Sequence, residues 1–79
     1  MTRPAEINAE IARRVVAARR EQGMSRPALA GLSGIAERTL ARRESGMSAW
    51  TTDELAAIAT ALRVDVSTLW VAPTLAVSA

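Results

Sequence analysis

The side chains best suited to chemistry in this chain are the arginines of residues 25–46, SRPALAGLSGIAERTLARRESG. Arg38 and Arg42 are four residues apart, so on a helix they share one face. A guanidinium presents a rigid, planar set of donors that pairs with phosphate and with the O6 and N7 acceptors of guanine. The spacing therefore indicates a helix face suited to nucleic acid, with Glu37 and Ala41 beside the two arginines.

The rest of this segment predicts two short helices joined by a tight turn. Leu29 and Ala30 are apolar positions of the first helix, Gly34 ends it, and Leu40 anchors the second helix. A glycine in the turn is free to adopt positive φ, and apolar anchors on one side leave the other side exposed. This layout is typical of a helix-turn-helix, whose second helix enters the major groove of DNA.

Charge is distributed unevenly along the chain. Residues 13–43 contain eight arginines and two glutamates, a net charge of +6, whereas residues 51–79 contain one arginine and three acidic residues, a net charge of −2. A basic half that includes the helix-turn-helix is expected of a nucleic-acid-binding face. The alternative is an ordinary solvated surface, because a basic run alone is a weak signal.

Several function classes are disfavoured by composition. The chain has no cysteine and no histidine, which removes disulfides, thiolate metal sites and the commonest metal ligand and general base. The eight carboxylates are scattered, with no evident pairing for acid–base chemistry. We therefore expect neither an enzyme nor a metal or cofactor site.

No apolar run approaches the roughly 20 residues that a membrane-spanning helix requires. No signal peptide is apparent either. All ten basic residues are arginine and none is lysine, a pattern expected of a GC-rich bacterial or phage coding sequence. The expectation from the sequence is thus a protein of the bacterial cytoplasm, associated with the nucleoid, with no membrane partner.

Helical periodicity and capping residues predict five helices. Ser25 caps helix 2, and Asp65 caps helix 5. Thr51 and Glu54 form a capping box before helix 4, with Trp50 and Leu55 as its hydrophobic staple. The predicted ranges of the first three helices are 4–22, 26–33 and 37–45. Helix 4 follows Thr51 and carries Leu55, Ile58, Ala59 and Leu62 on one face, and a short helix 5 lies between residues 65 and 73.

The ordered set of residues resembles the phage repressor and Cro-like (XRE-type) family of small DNA-binding domains. The resemblance covers residues 11–70. It implies an all-α, compact five-helix lambda-repressor-like domain, with the helix-turn-helix at helices 2 and 3. We expect this domain to span residues 1–72 and to be followed by a frayed tail at 73–79. The matching positions are Arg19, Gly23, Met24, Ser25, Leu29, Ala30, Gly34, Ile35, Thr39, Leu40, Glu44, Gly46, Leu62, Val64 and Leu69.

Residue-by-residue matching to this family implies that Glu37, Arg38 and Arg42 read base edges. The two arginines are suited to guanine, with phosphate contact as the alternative role. Glu37 is suited to accepting a hydrogen bond from cytosine N4, or to orienting Arg38 or Arg26.

Contacts to the DNA backbone are expected around the start of helix 2 and the end of helix 3. Ser25 and Arg26 form a phosphate site in this interpretation, although the family usually has glutamine at position 26. Local turn or capping roles are the alternative for the serines. The further candidates are Thr39, Arg43, Ser45 and Ser48.

The resemblance implies a structural role for Arg19 and Glu44, as an ion pair that links helix 1 to the end of helix 3. Three residues depart from the family pattern: Ala36 at the N-cap of helix 3, Arg43 at an apolar position, and Arg63 in place of glycine. Trp70 is expected to be core or partial cover rather than an interface anchor.

The predicted function is a sequence-specific transcription regulator, a phage or prophage repressor or Cro-like protein that occludes a promoter operator. Double-stranded DNA is the expected partner, and the resemblance also allows a homodimer through the C-terminal helix. Two alternatives stay open: the antitoxin of a toxin–antitoxin pair, and a DNA-bending recombination-directionality or architectural factor.

Overall fold

The structure, a computed structural model, describes residues 3–71 of the chain. In that range four α-helices and one 3-10 helix follow in order: α1 (Pro4–Glu21), α2 (Arg26–Ser33), α3 (Glu37–Glu44), α4 (Thr52–Leu62) and the 3-10 helix Val66–Thr68. The predicted all-α class is therefore confirmed. The frayed tail predicted at 73–79 lies outside the described residues.

The fifth predicted helix is a single 3-10 turn instead of an α-helix. Asp65 caps it as predicted, because its Oδ1 accepts the N–H of Ser67 at 2.9 Å. The N–H groups of Leu69 and Trp70 both donate to the carbonyl of Val66 at 3.0 Å, which closes the turn. The five-helix count thus holds only when this three-residue turn is included.

Local side-chain bonds fix where α2 and α4 begin. Ser25 Oγ accepts the N–H of Ala28 at 3.2 Å at the start of α2. Thr51 Oγ1 accepts the N–H of Glu54 at 3.0 Å, and Glu54 Oε1 accepts the N–H of Thr51 at 2.9 Å. This reciprocal pair is the predicted capping box, which satisfies two N–H groups that a helix start leaves free.

The turn between α2 and α3 depends on a residue that tolerates positive φ. Gly34 ends α2 at φ 76°, in the left-handed region that glycine occupies without steric cost. The N-cap of α3 is Ala36, whose side chain gives no capping bond because it has no oxygen to accept one. α3 therefore starts without the capping bond that Ser25 and Thr51 provide for α2 and α4.

The core lies where α1, α2 and α4 converge behind α3. α4 packs against α2, while α1 and α2 each pack against α3. Aliphatic side chains fill this centre, as expected from a chain with two tryptophans and no phenylalanine or tyrosine. Its buried members include Ile11, Val15, Leu29, Leu40, Trp50, Leu55, Ile58, Leu62 and Leu69.

At the C-terminal end Trp70 is 47% exposed, so it is not a core residue and covers the domain in part, which is one of the two roles expected for it. Its neighbour Leu69 fills the core position instead, at 1% exposure. The backbone carbonyl of Trp70 accepts from Arg14 Nη1 at 3.2 Å, which holds this segment against α1.

Arg63 occupies the C-cap of α4 in the left-handed conformation, at φ 57° and ψ 43°. Among the non-glycine residues 3–71 it alone has positive φ. The N–H of the following Val64 still donates to the carbonyl of Ala59 at 3.0 Å. The turn usual for glycine therefore forms with arginine, which bears the steric cost of that conformation.

Candidate nucleic-acid interface

The outer face of α3 carries the three side chains predicted to read bases. Glu37, Arg38 and Arg42 are all exposed. Their side chains have no hydrogen-bond or ion-pair partner within residues 3–71. On the opposite side of the helix Leu40 is fully buried. One face of α3 is thus fixed in the core while the other presents two arginines to solvent.

Thr39, also on α3, is less exposed than Glu37, Arg38 and Arg42. Thr39 is half-buried, between the exposed Arg38 and the buried Leu40. Its position beside the exposed face is compatible with a backbone contact, which stays a prediction.

Arg19 and Glu44 lie in direct contact, as an ion pair between α1 and the last residue of α3. Arg19 Nε donates to Oε2 of Glu44 at 2.9 Å, and Nη2 donates to Oε1 at 3.0 Å. The side chain of Glu44 is 1% exposed and that of Arg19 is 9% exposed. Arg19 Nη1 also donates to the carbonyl of Met24 at 3.0 Å, so the same guanidinium holds the loop before α2.

Arg26 belongs to the same cluster. Its Nε donates to Oε1 of Glu44 at 3.0 Å, although its side chain remains 42% exposed. Glu44 therefore joins three helices, with Arg19 on α1, Arg26 on α2 and the carboxylate itself on α3. The sequence predicted the first of these contacts and not the second.

Arg43 has protein partners at all three guanidinium nitrogens. Nε and Nη2 donate to the two carboxylate oxygens of Glu54 at 2.9 and 3.1 Å, and Nη1 donates to Ser48 Oγ at 2.8 Å. Both charged side chains are largely buried. Arg43 and Ser48 were predicted to contact phosphate, and here they bind each other and the N-terminus of α4.

The other predicted backbone contacts have local roles as well. Ser25 caps α2, as described above. Ser45 Oγ donates to the carbonyl of Arg42 at 2.6 Å and accepts the N–H of Met47 at 3.3 Å, which shapes the turn after α3. These bonds are the turn and capping roles that the sequence left open for the serines.

Comparison with known proteins identifies this arrangement of helices. A family model described as Helix-turn-helix, HTH_3, matches residues 15–69. The chain belongs to the HTH_3 helix-turn-helix family. The resemblance inferred from residues 11–70 is thereby confirmed.

A solved structure supports the assignment to HTH_3. The crystal structure of an HTH_3 family transcriptional regulator from Vibrio cholerae is 28% identical in sequence, with a TM-score of 0.81. The match covers 85% of this chain and 38% of that one, so this chain spans well under half of the longer protein. No curated protein matches the chain.

Two contacts of this HTH_3 domain were missed by sequence reasoning, Arg26 with Glu44 and Arg43 with Glu54. A signal existed for each of them. Position 26 departs from the glutamine usual in the family, and Arg43 stands where an apolar residue normally packs. Long basic side chains at such half-buried positions need an acidic partner, because an unpaired buried charge is costly.

Within residues 3–71, no helix combines the length and apolarity needed to cross a membrane.

Proposed function

We propose that this domain binds double-stranded DNA and regulates transcription, with α3 in the major groove. The observation that carries the proposal is the outer face of α3, where Arg38 and Arg42 are exposed and free of partners among residues 3–71. Membership of the helix-turn-helix family and the similarity to a transcriptional regulator support it.

The arginines of the domain differ in how far nearby carboxylates neutralise their charge. Arg43 is neutralised by Glu54, and Arg13 and Arg14 share the single carboxylate of Glu10, so these three arginines add a net charge of only +1 to the field that attracts DNA. Arg38 and Arg42 keep their full positive charge on the face that the fold leaves open. Arginines in this position are suited to bidentate bonds with guanine O6 and N7.

Glu37, at the first position of α3, is proposed as a further base-contacting residue. A carboxylate near phosphates is unfavourable unless it accepts a hydrogen bond, and cytosine N4 offers a donor in the major groove. Specific recognition of cytosine next to guanine is the expected consequence for the bound sequence.

The regulation that we propose is occlusion of a promoter operator, as by a phage or prophage repressor or a Cro-like protein. A module of this size contacts a short stretch of DNA, so tight binding calls for two copies on two half-sites. Val66 and Trp70, 43% and 47% exposed at the C-terminal end, offer an apolar surface for such a homodimer.

Selection from a random duplex library at near-physiological salt, followed by sequencing of the bound DNA, tests the proposal. An inverted repeat with half-site centres roughly 10 bp apart is the expected result, because a symmetric dimer places two α3 helices one helical turn apart. Enrichment of a single unrepeated motif would support DNA recognition and contradict the dimer.

Recovery of DNA without any enriched motif would contradict sequence-specific regulation. Binding that is also insensitive to salt would contradict DNA binding through arginine–phosphate contacts altogether. A variant with both Arg38 and Arg42 changed to alanine is the matched control, and the enriched motif is expected to disappear with it.

A further inference from the structure

Glu44 is shared between two arginines that differ sharply in exposure. Its Oε1 accepts from Arg19 Nη2 and from Arg26 Nε, both at 3.0 Å, and its Oε2 accepts from Arg19 Nε at 2.9 Å. Arg19 is buried with the carboxylate, whereas Arg26 is 42% exposed. The arrangement has one negative and two positive charges, so the cluster retains a positive charge on its exposed side.

Arg26 uses only one edge of its guanidinium for this contact. Within residues 3–71 its Nε donates to Glu44, and its two Nη nitrogens have no protein partner. A guanidinium has five N–H donors in a fixed plane, so four remain after the bond to Glu44. The carboxylate therefore fixes the plane of the group and leaves its terminal edge unoccupied.

Arg26 also borders an open cleft between α1 and α3. The cleft has a volume of about 620 Å³, and its lining includes Arg20, Arg26 and Glu44 together with the small side chains of Ala12 and Ala41. Arg20 is exposed and has no side-chain partner among residues 3–71. Space for a phosphate group and its neighbouring sugar therefore lies beside Arg26.

We propose that Glu44 is a positioning residue for DNA binding: it holds Arg26 through Nε so that the Nη edge donates to a backbone phosphate. The inference rests on the proposed function, and it assigns Glu44 a role beyond the ion pair with Arg19. Arginine is required at position 26 because one guanidinium serves the carboxylate and the phosphate at once. A lysine carries its three donors on one nitrogen, so it cannot place one donor at the Nε position beside Glu44 and another at the outer Nη edge.

The test compares charge-conserving and charge-removing substitutions through the salt dependence of binding. Wild-type protein, R26K and R26A are titrated onto one labelled duplex at several salt concentrations. Each phosphate contact contributes about 0.9 to the slope of log Kobs against log[salt]. We expect R26K to lose about 0.9 from the slope, as R26A does, even though R26K keeps the net charge.

R63K is the matched control. It makes the same change at an exposed arginine at the C-cap of α4, which lies outside the cleft and has no carboxylate partner among residues 3–71, so the wild-type slope is expected to be retained. Circular dichroism and thermal unfolding of each variant verify that the fold is intact. Adding E44Q to R26K releases the substituted lysine from its ion pair, and the slope is expected to recover.

The outcomes separate this inference from the proposed function. R26K with the wild-type slope and R26A with a reduced slope would show that charge alone suffices, which overturns the positioning role of Glu44. A wild-type slope for R26A would show that Arg26 contacts no phosphate and would overturn it too. Absence of salt-dependent DNA binding by the wild-type protein would overturn both proposals.

Discussion

Arg43 and Glu54 join the end of α3 to the first turn of α4. Both carboxylate oxygens of Glu54 accept from Arg43, at 2.9 and 3.1 Å, and Oε1 also accepts the N–H of Thr51 in the capping box. One carboxylate thus caps a helix and holds the arginine of another. The position of α3 relative to the core is therefore coupled to the start of α4.

The Glu54 contact predicts a stability change at acid pH. Burial alone would raise the pKa of Glu54, but hydrogen bonds from Arg43 and Thr51 outweigh burial and hold the pKa below 4.5. Because the folded-state pKa is depressed, this stabilisation is present above about pH 4.5 and is lost as the pH falls through the folded-state value. We expect Glu54→Gln to lower the free energy of unfolding at neutral pH, with a difference from wild type that shrinks in acid.

Urea unfolding of wild type and Glu54→Gln over a pH series measures this difference. Glu6→Gln is the matched control, since Glu6 is an exposed carboxylate in the first turn of α1 with no ion pair among residues 3–71. A gap between wild type and Glu54→Gln that stays constant down to the lowest pH would contradict the assigned role of the carboxylate charge.

Arg38→Ala is predicted to relax sequence specificity. The side chain lies on the exposed face of α3, and the loss of one bidentate contact to a base should cost about 1–3 kcal/mol of discrimination at a single base pair. Binding constants on the selected sequence and on single-base variants of it, measured at one salt concentration, give this quantity directly.

Arg63→Gly is the control for Arg38→Ala. It removes one positive charge from the C-cap of α4, where φ is 57° and glycine is free of strain. Its discrimination between sequences should match wild type. Equal losses for Arg38→Ala on selected and random DNA would mean that Arg38 contacts phosphate and not a base.

The sequence predicted best those features that are decided within a few residues. The Ser25 cap and the Thr51–Glu54 capping box depend on bonds between residues three positions apart, and the Gly34 turn depends on the dihedral angles of one residue. Residue type alone nearly determines such features. The helix bounds agreed with the structure to within one residue for α1, α2 and α3 for the same reason.

The partners of the arginines could not be predicted in the same way. Arg26 and Glu44 are 18 residues apart and Arg43 and Glu54 are 11 apart, so their contacts depend on how whole helices pack. Each arginine had phosphate as a plausible partner. Only the packing of α3 against its neighbours decides that Arg43 binds a carboxylate while the Arg38 side chain has no partner among residues 3–71.

Two glycines are predicted to respond oppositely to alanine. Gly46 has φ +79°, and an added Cβ would lie 3.2 Å from the Cα of Ala9 in α1. Gly31 lies inside α2 with nothing within 4 Å of an added Cβ and with no positive φ. We expect Gly46→Ala to destabilise the domain by more than about 1 kcal/mol, and Gly31→Ala to stabilise it by roughly 0.5–1 kcal/mol.

Thermal and urea unfolding of the two glycine variants provide the measurement, each serving as the control for the other. The substitution is identical, so only the backbone conformation and the surrounding space differ. A stabilising Gly46→Ala would mean that the close approach of α1 to the turn after α3 is not maintained in solution.

The buried ion pair of α1 and α3 gives the largest predicted loss of stability. Arg19→Ala removes the bidentate partner of a carboxylate that is 1% exposed, and Arg26 alone bonds only one of its two oxygens. Loss of one partner from a buried pair typically costs about 3–5 kcal/mol, because the remaining charge is left without compensation.

Arg13→Ala is the matched control on the same helix, since its pair with Glu10 is exposed and such pairs contribute about 0–1 kcal/mol. The difference between the two variants in urea unfolding is therefore expected to exceed about 2 kcal/mol. Equal effects of Arg19→Ala and Arg13→Ala would mean that water reaches Glu44 and replaces the lost guanidinium.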